Sequence, residues 1–591
     1  MSRPKLNLII FLYCSTWPAW AQQPIINFVD KTSGNLNEIV IISGNGFSNT
    51  PGDLMVFFGS VQGEIVSSTD LIIEARVPSG SIYSPITVTN LTSNLTGYSN
   101  PQFFMNFGGD GFDPALTDPA VDFTGSNGLF DLCLADFDGD GLNDIATSSI
   151  NVNIISVYRN TSTISSVNFV STTISMPFNT INLFCGDLNG DGKLDLIASK
   201  TDVIGEKIYV LENNSTVGNI SFKAPVELDA IGTAARRLAI ADIDVDGWPD
   251  IIATNESNNL VSIYRNQGSG TISFQTAITF EITGAENLLG LAVADLNDDD
   301  LPEVIVGQFL EKDIFILQNN SLNGIINFGN SITLPVAGNL VNIKAGDLDG
   351  DGKTDIAVTK LLSATVGMLL NDTQSPGGQV QFLPETFFTT TDRPWGIDFG
   401  DLDGNGVADV VVGSIGDNLE ISILENTSTI GNLSFNRFDI STTEKTRNIK
   451  IGDIDGDARP DLSFTSVDNF NLTVIRNRNC IVPQINPPGP IQVCAGFPLQ
   501  LKATEGLGVT YEWKMNGNPL ADTDSILVVA ASGNYTVKIS DGGACNQTSS
   551  ATAVTFDMNA TPATPVAFNS GPVCVDETLN LTASLVAGTT Y

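Results

Sequence analysis

The chain has 591 residues, 42% hydrophobic and 16% charged, with 66 acids against 27 bases, a formal charge of −39 and no histidine. This is a globular composition, long enough for several domains. The charge excludes binding to nucleic acid or anionic lipid by bulk attraction. The missing histidine removes the commonest general base, the Ser/His/Asp and Cys/His nucleophile systems, and His-ligated zinc or iron.

Residues 1–21 read as a secretory signal peptide. Arg3 and Lys5 precede an apolar run from Leu6 to Tyr13, and Ala19-Trp20-Ala21 forms an AxA-like cleavage site. The run is far shorter than the roughly 20 residues of a membrane span, and Tyr13 before Cys14 argues against a lipoprotein signal. No later segment is long and apolar enough to cross a bilayer, so a secreted or outer-surface protein is expected. From 23 to 108, short strand-like runs separated by turn residues predict a β-sandwich. Its turn Gly44-Asn45-Gly46-Phe47, Phe58-Gly59, and Val77-Pro78 followed by Ile86-Thr87-Val88 resemble an IPT/TIG domain. The resemblance implies a spacer or a contact surface.

Between 109 and 479 an acidic stretch recurs seven times, as in AGDLDGDGKTDIAVTK, with first acids at Asp136, Asp187, Asp242, Asp295, Asp347, Asp401 and Asp453, spaced by 51 to 55 residues. About 25 residues into each copy a β-patterned run ends in Asn: Asn160, Asn213, Asn266, Asn319, Asn371, Asn426 and Asn477. A Phe then opens a further strand in six copies, the first being Phe169 and the last Phe435. The seventh copy lacks that strand, while an unpartnered run, FDPALTDPAVDF from Phe112, precedes the first loop. A closed ring explains both facts: four strands per unit make a β-propeller blade, and the early run fastens the last blade. An open β-solenoid is the alternative. The fold class predicted is all-β, a seven-bladed β-propeller flanked by an N-terminal sandwich and one or more C-terminal sandwiches.

The nine-residue pattern DxDxDGxxD gathers side-chain oxygens at positions 1, 3, 5 and 9, with Gly at 6 permitting the turn and a carbonyl at 7 available. Oxygen donors at this density suit Ca²⁺ better than Mg²⁺ or softer metals. The candidate ligands are Asp136, Asp138, Asp140 and Asp144; Asp187, Asn189, Asp191 and Asp195; Asp242, Asp244, Asp246 and Asp250; Asp295, Asn297, Asp299 and Glu303; Asp347, Asp349, Asp351 and Asp355; Asp401, Asp403, Asn405 and Asp409; and Asp453, Asp455, Asp457 and Asp461. The loops hold 27 of the 66 acids, and seven dications would bring the charge from −39 to −25. An EF-hand is set aside because position 12 is Thr147, Ala198, Ala253, Val306, Val358, Val412 or Phe464, never Glu. A solvated acidic turn is the bland reading of any one loop, and seven in register argue against it for the set. The fourth loop, with Asp300 in place of Gly and Glu303 in place of Asp, and the seventh, with Ala458 in place of Gly, are expected to bind most weakly.

These units resemble FG-GAP/VCBS repeats, found in integrin α-subunit heads and many secreted bacterial proteins. The resemblance implies calcium in structural blade loops and a role in adhesion, lectin-like binding or, less often, polysaccharide cleavage. After the linker PQINPPGP, residues 480–557 resemble an immunoglobulin-type domain of the sort repeated in Bacteroidetes surface proteins, with Trp513 and Tyr535 as core aromatics. Residues 558–591 begin a second copy that stops at Tyr591, so a longer natural protein is expected. In an oxidising compartment Cys494 and Cys545 are expected to pair. Cys133 and Cys185 sit at offsets of opposite parity before their aspartates and are expected as buried free thiols; Cys480 and Cys574 have no evident partner.

The function expected is calcium-dependent recognition of an extracellular glycan or protein by a monomeric propeller, with no nucleic-acid partner and no catalytic residues. The alternative is a polysaccharide lyase or hydrolase, since a carboxylate pair serves as acid and base without histidine. Trp395 and Trp248 are candidates for stacking on sugar, with core packing the plainer reading.

Overall fold

The alternation of apolar and polar residues in the first segment becomes two packed sheets. In the computed structural model, which describes residues 23–557 except 110, 165, 201–206, 231–234, 256–258, 269, 310–312, 323, 495–497 and 543–544, together with the backbone of 567–569 and 581–583, every long element is a strand. The signal-peptide reading and Cys574 lie outside the described residues. No helix among them is long and apolar enough to cross a membrane.

Strands Ile25–Val29, Ile39–Asn45, Ile72–Arg76 and Ile65–Ser68 form one sheet of the N-terminal sandwich. Ser33–Asn35, Leu95–Asn106, Ser84–Asn90, Leu54–Phe58 and Val61–Gly63 form the other. Val40, Ile42, Val56, Phe58, Val88 and Phe103 meet between them.

The repeats form seven four-stranded antiparallel sheets. Their inner strands are Leu129–Ala135, Thr180–Gly186, Ala235–Ala241, Leu288–Ala294, Leu340–Gly346, Pro394–Gly400 and Thr446–Gly452, and the seventh packs against the first, so the ring closes. Each acidic loop links an inner strand to the second strand, which starts on the last acid and is buried along its whole length, as in Asp144–Ser149 and Asp409–Ser414. Neighbouring blades cover both faces of that strand, which is why apolar and small residues fill both faces after each loop, as in Ile356-Ala357-Val358, instead of alternating with exposed polar ones. Val121–Thr124 pairs antiparallel with Asn471–Ile475 as the outer strand of blade seven, the fastening that the repeat register requires.

The C-terminal segment is a second two-sheet sandwich, with Trp513, Tyr535, Leu501 and Val537 in its core. Trp513 Nε1 donates to Asp524 O at 2.8 Å and the Tyr535 hydroxyl to Ala531 O at 2.7 Å.

Both cysteine expectations are corrected. Cys545 bonds Cys480, with 5.3 Å between their Cα atoms, not Cys494. Strand Gly533–Ser540 explains this: its start pairs with Thr552–Asp557, the strand whose last residue is opposite Cys494, while its end leads to Cys545. The two cysteines therefore sit at opposite ends of the sandwich, and Cys545 meets the chain leaving the propeller, where Arg478 also pairs with Asp541 at 3.1 Å. Cys133 bonds Cys185, with Cα atoms 6.4 Å apart. Opposite parity on adjacent inner strands turns one sulfur forward and the other back across the gap between blades one and two, so the observation that suggested free thiols is what brings them together.

Candidate metal loops and the sandwich that covers them

The first acid of each loop folds the turn around itself. Asp136 Oδ1 accepts from the backbone N–H of Gly139 at 2.8 Å and of Asp140 at 3.1 Å, and Oδ2 from Gly141 at 2.9 Å. The residue at position 6 is left-handed throughout, from Gly141 at φ 90° down to the substitutes Ala458 at 69° and Asp300 at 64°. The turn therefore survives in the fourth and seventh loops, at about 1 kcal/mol for each non-glycine residue held there. Ala458 is not a degraded glycine, because its methyl group packs into the core cluster of the N-terminal sandwich.

The last acid is a clasp. Asp409 Oδ2 accepts from Leu402 N at 2.9 Å and Oδ1 from Asn426 N at 2.7 Å, and the other six loops repeat both bonds, Glu303 included. The Asn in register completes the joint: Asn426 Nδ2 donates to Ala408 O in its own blade and to Leu348 O in the previous one. Asn160 ties blade one to Ile454 O of blade seven in the same way. The sequence displayed these asparagines through their spacing, and their work is to stitch blades together.

Five loops bring three carboxylates together, with one oxygen of each within 4.8 Å of the others: Asp136, Asp138 and Asp144; Asp242, Asp244 and Asp246; Asp347, Asp349 and Asp351; Asp401, Asp403 and Asp409; and Asp453, Asp455 and Asp461. Loops two and four carry Asn189 and Asn297 at the third position. Burial pushes Asp136 and Asp187 up to about 6, Asp242 to about 7, and Asp144, Asp250, Glu303 and Asp355 to about 8. Asp401 and Asp453 rise well above the carboxylate range through burial and the repulsion of neighbouring aspartates. Asp244 Oδ1 in loop three and Asn297 Oδ1 in loop four are buried with no hydrogen-bond partner among the described residues. An orphaned carboxylate oxygen among buried, crowded acids is the environment that a hard dication relieves, so the residues fit one.

The residue before each stitching Asn divides the loops. Arg265 pairs with both Asp244 and Asp246; Arg476 pairs with Asp455; and Arg159 lies 3.8 Å from Asp138 and from Asp140. In loop seven Arg459 also pairs with Asp457 at 2.9 Å. The equivalent residues of the other blades are Glu212, Gln318, Leu370 and Glu425. Buried Glu425 accepts from Phe112 N at 2.8 Å and adds repulsion to Asp403 and Asp409. The arginine positions were visible in the sequence as YRN, YRN and IRN, but a reading by loop motif alone does not connect them to acids about 20 residues earlier.

The N-terminal sandwich lies on this loop face. Ser60 Oγ donates to Asn143 Oδ1 at 2.5 Å, Gln23 Nε2 to Asp242 at 3.2 Å and Asn100 Nδ2 to Asp295 at 3.0 Å, while Asp347 N donates to the Tyr83 hydroxyl at 3.0 Å. A Cβ on Gly192 would meet Met55 Sδ at 2.1 Å and one on Gly452 would meet Ile82 at 3.1 Å, so loop two and the end of blade seven's inner strand are covered as well. Of the two tryptophans singled out for sugar stacking, Trp248 is buried against Gly268 in the covered face. Trp395 is half-buried near the opposite end of the ring.

Residues 136–198, 187–253 and 242–306 match the FG-GAP-like repeat, and residues 24–104 match the IPT/TIG domain. Integrin alpha-7 of Homo sapiens is 30% identical over 151 residues, which is 22% of this chain and 12% of the integrin; the chain thus spans about an eighth of that relative's length. Among solved structures, an auxiliary nutrient binding protein from Bacteroides thetaiotaomicron VPI-5482 is 11% identical with a TM-score of 0.32, covering 78% of this chain and 98% of that one. A chain of a humanized mutant of the Chaetomium thermophilum Polycomb Repressive Complex 2 is 11% identical with a TM-score of 0.42, covering 61% and 98%.

Proposed function

We propose that the chain is a secreted or cell-surface recognition protein whose propeller, braced by Ca²⁺ in the blade loops, binds an extracellular glycan or protein through the face that the N-terminal sandwich leaves free. The observation that carries this reading is the seat of the sandwich: it touches loops one to five through Asn143, Gly192, Asp242, Asp295 and Asp347, so that part of the loop face is already occupied by the chain itself. The match to FG-GAP-like repeats and the integrin similarity support an adhesive role. The domains are taken as 23–108 for the IPT/TIG sandwich, 109–479 for the propeller, 480–557 for an Ig-like sandwich and 558–591 for the start of another, with signal cleavage near Ala21.

Each ion would be held by the acids and amides at positions 1, 3, 5 and 9, and supplies positive charge where the chain has gathered negative. Loops one, three and seven carry their own arginine, so the tight sites are loops two, five and six, with loop four intermediate. The fold's closest rival role is polysaccharide cleavage. A glycan array and a depolymerisation screen on the full chain, each with and without EGTA, separate them: retention of a glycan without release of unsaturated or reducing sugar is expected, and release would overturn the assignment.

A further inference from the structure

Each inner strand gives the axis of the ring one side chain at the third residue before its loop's first acid, and these residues are not alike. Blades five, six and seven supply Lys344, Asp398 and Lys450, whereas blades two, three and four supply Phe184, Ala239 and Ala292. All six line an axial cavity of about 550 Å³, bounded at its loop end by Ile82, Pro85 and Tyr98 of the N-terminal sandwich. That is the size of a small-molecule site. One wall of the cavity is charged and the wall across the axis from it is apolar. Phe184 is 38% exposed although it sits on an inner strand of a closed ring, so an aromatic side chain is left bare toward the axis.

The charged wall is unbalanced. Asp398 Oδ1 accepts from Lys344 Nζ at 2.6 Å and Oδ2 from Ile451 N at 3.0 Å, so both oxygens are taken. Lys450 Nζ stands 3.9 Å from Oδ1, beyond hydrogen-bond distance, and donates to nothing among the described residues, with 34% of its side chain exposed. One layer farther from the loops, the charges are engaged. Arg237 Nε donates to Leu289 O at 2.8 Å, and Asp131 accepts from Leu132, Asn182, Leu183 and Asn448. Toward the loops, Asp187, Asp242 and Asp295 hold their own turns through backbone N–H groups, with exposed Asp300 beside them. At mid-depth this leaves one idle ammonium across the axis from a bare aromatic ring and methyl groups.

We propose that the axial cavity holds a small organic monocarboxylate with an apolar body, its carboxylate on Lys450 and its body against Phe184, Ala239 and Ala292. An ammonium group walled in by protein makes a strong charge-assisted hydrogen bond to a carboxylate. The apolar wall adds the burial of the ligand's body. The acids toward the loops oppose a second carboxylate at the ligand's far end, and they make an amine the rival ligand. This site is separate from recognition at the uncovered face, and either stands without the other. Because the ring and the sandwich both line the cavity, a ligand there touches two domains at once.

Equilibrium dialysis of the full chain in calcium buffer against phenylpropionate, octanoate, phenylpropanol and phenylpropylamine tests this and tolerates slow entry. One equivalent of a carboxylate should be taken up per chain, about tenfold or more tightly than the alcohol or the amine. Lys450→Met should weaken the carboxylates about tenfold and leave the alcohol unmoved, while Lys450→Arg, which keeps a cation, should retain them. Phe184→Ala should weaken acid and alcohol alike, with melting temperature and calcium uptake unchanged. If Lys450→Met fails to fold, the ratio of acid to alcohol on the native chain and the response to Phe184→Ala decide the question. Alcohol or amine bound as tightly as the acid, uptake of neither carboxylate, or carboxylate uptake indifferent to both Lys450→Met and Phe184→Ala would overturn the proposal.

Discussion

Loops three and six are built on one nine-residue frame, and each brings three aspartates together. In loop three Arg265 reaches both Asp244 and Asp246, whereas in loop six the same backbone position holds Glu425, whose charge adds to that of Asp403 and Asp409. The difference teaches that the loop motif sets the oxygen cage and that a residue on the third strand decides whether the cage is already neutralised. Loop six folds its acids together on backbone N–H donors, with no cationic side chain among the described residues paired to them.

Removing the metal should therefore have the largest effect, and an unequal one. Stripping with EGTA and restoring Ca²⁺ should raise the melting temperature, with roughly 2.7 kcal/mol recovered for each site held at a hundredfold excess over its Kd. Calorimetric titration should show three or four tight sites, not seven. Seven equal sites would erase the distinction between the two loops, and no uptake at all would end the calcium reading.

Next in size is the clasp itself. Asp409→Ala removes the acceptor of two buried backbone donors, Leu402 N and Asn426 N, at about 1–3 kcal/mol each. Asp250→Ala should cost the same in calcium-free protein, because Asn266 N and Ile243 N depend on it equally. In saturating Ca²⁺ the loop-six variant should lose more than the loop-three one. Equal losses in both conditions, read from denaturant melts, would show that the metal does not distinguish the loops.

Exchanging the third-strand residues is the direct test and a smaller effect. Arg265→Gln should create a tighter calcium site, and Glu425→Gln should weaken the existing one, each by about tenfold, or about 1.4 kcal/mol. Uptake unmoved by either substitution would leave Arg265 as a merely structural partner of its acids.

Much of this molecule was legible from spacing alone. The ring, its closing strand and the acid-rich turns follow from seven copies with one outer strand displaced, because β-periodicity and repeat length are local signals. What was not legible depends on where the blades face. Cys133 and Cys185 looked mismatched until their strands became neighbours across a blade gap, Ala458 looked like a lost glycine until the sandwich came down on it, and Arg265 lies 21 and 19 residues from the two acids it neutralises. Position 6 in loop seven shows the limit: the turn geometry was readable, and the partner of the methyl group was not.

Loop five carries the neutral Leu370 where Arg265 and Glu425 stand, with Lys353 3.9 Å from Asp351, and it isolates the smallest effect, that of the covering sandwich. The buried Tyr83 hydroxyl accepts from Asp347 N at 3.0 Å, and its ring stacks beside Phe104 and edges onto Phe399. Tyr83→Phe keeps the ring contacts and removes only the acceptor, which should cost about 1 kcal/mol. Since Asp347 holds its own turn through Gly350 N and Gly352 N, calcium uptake at loop five should be unchanged. A melting temperature lowered by a degree or two with intact uptake would make docking and metal binding separable. Loss of the loop-five site would instead mean that the sandwich shapes the cage, and the contrast between loops three and six would then have to be reassigned to how each is covered.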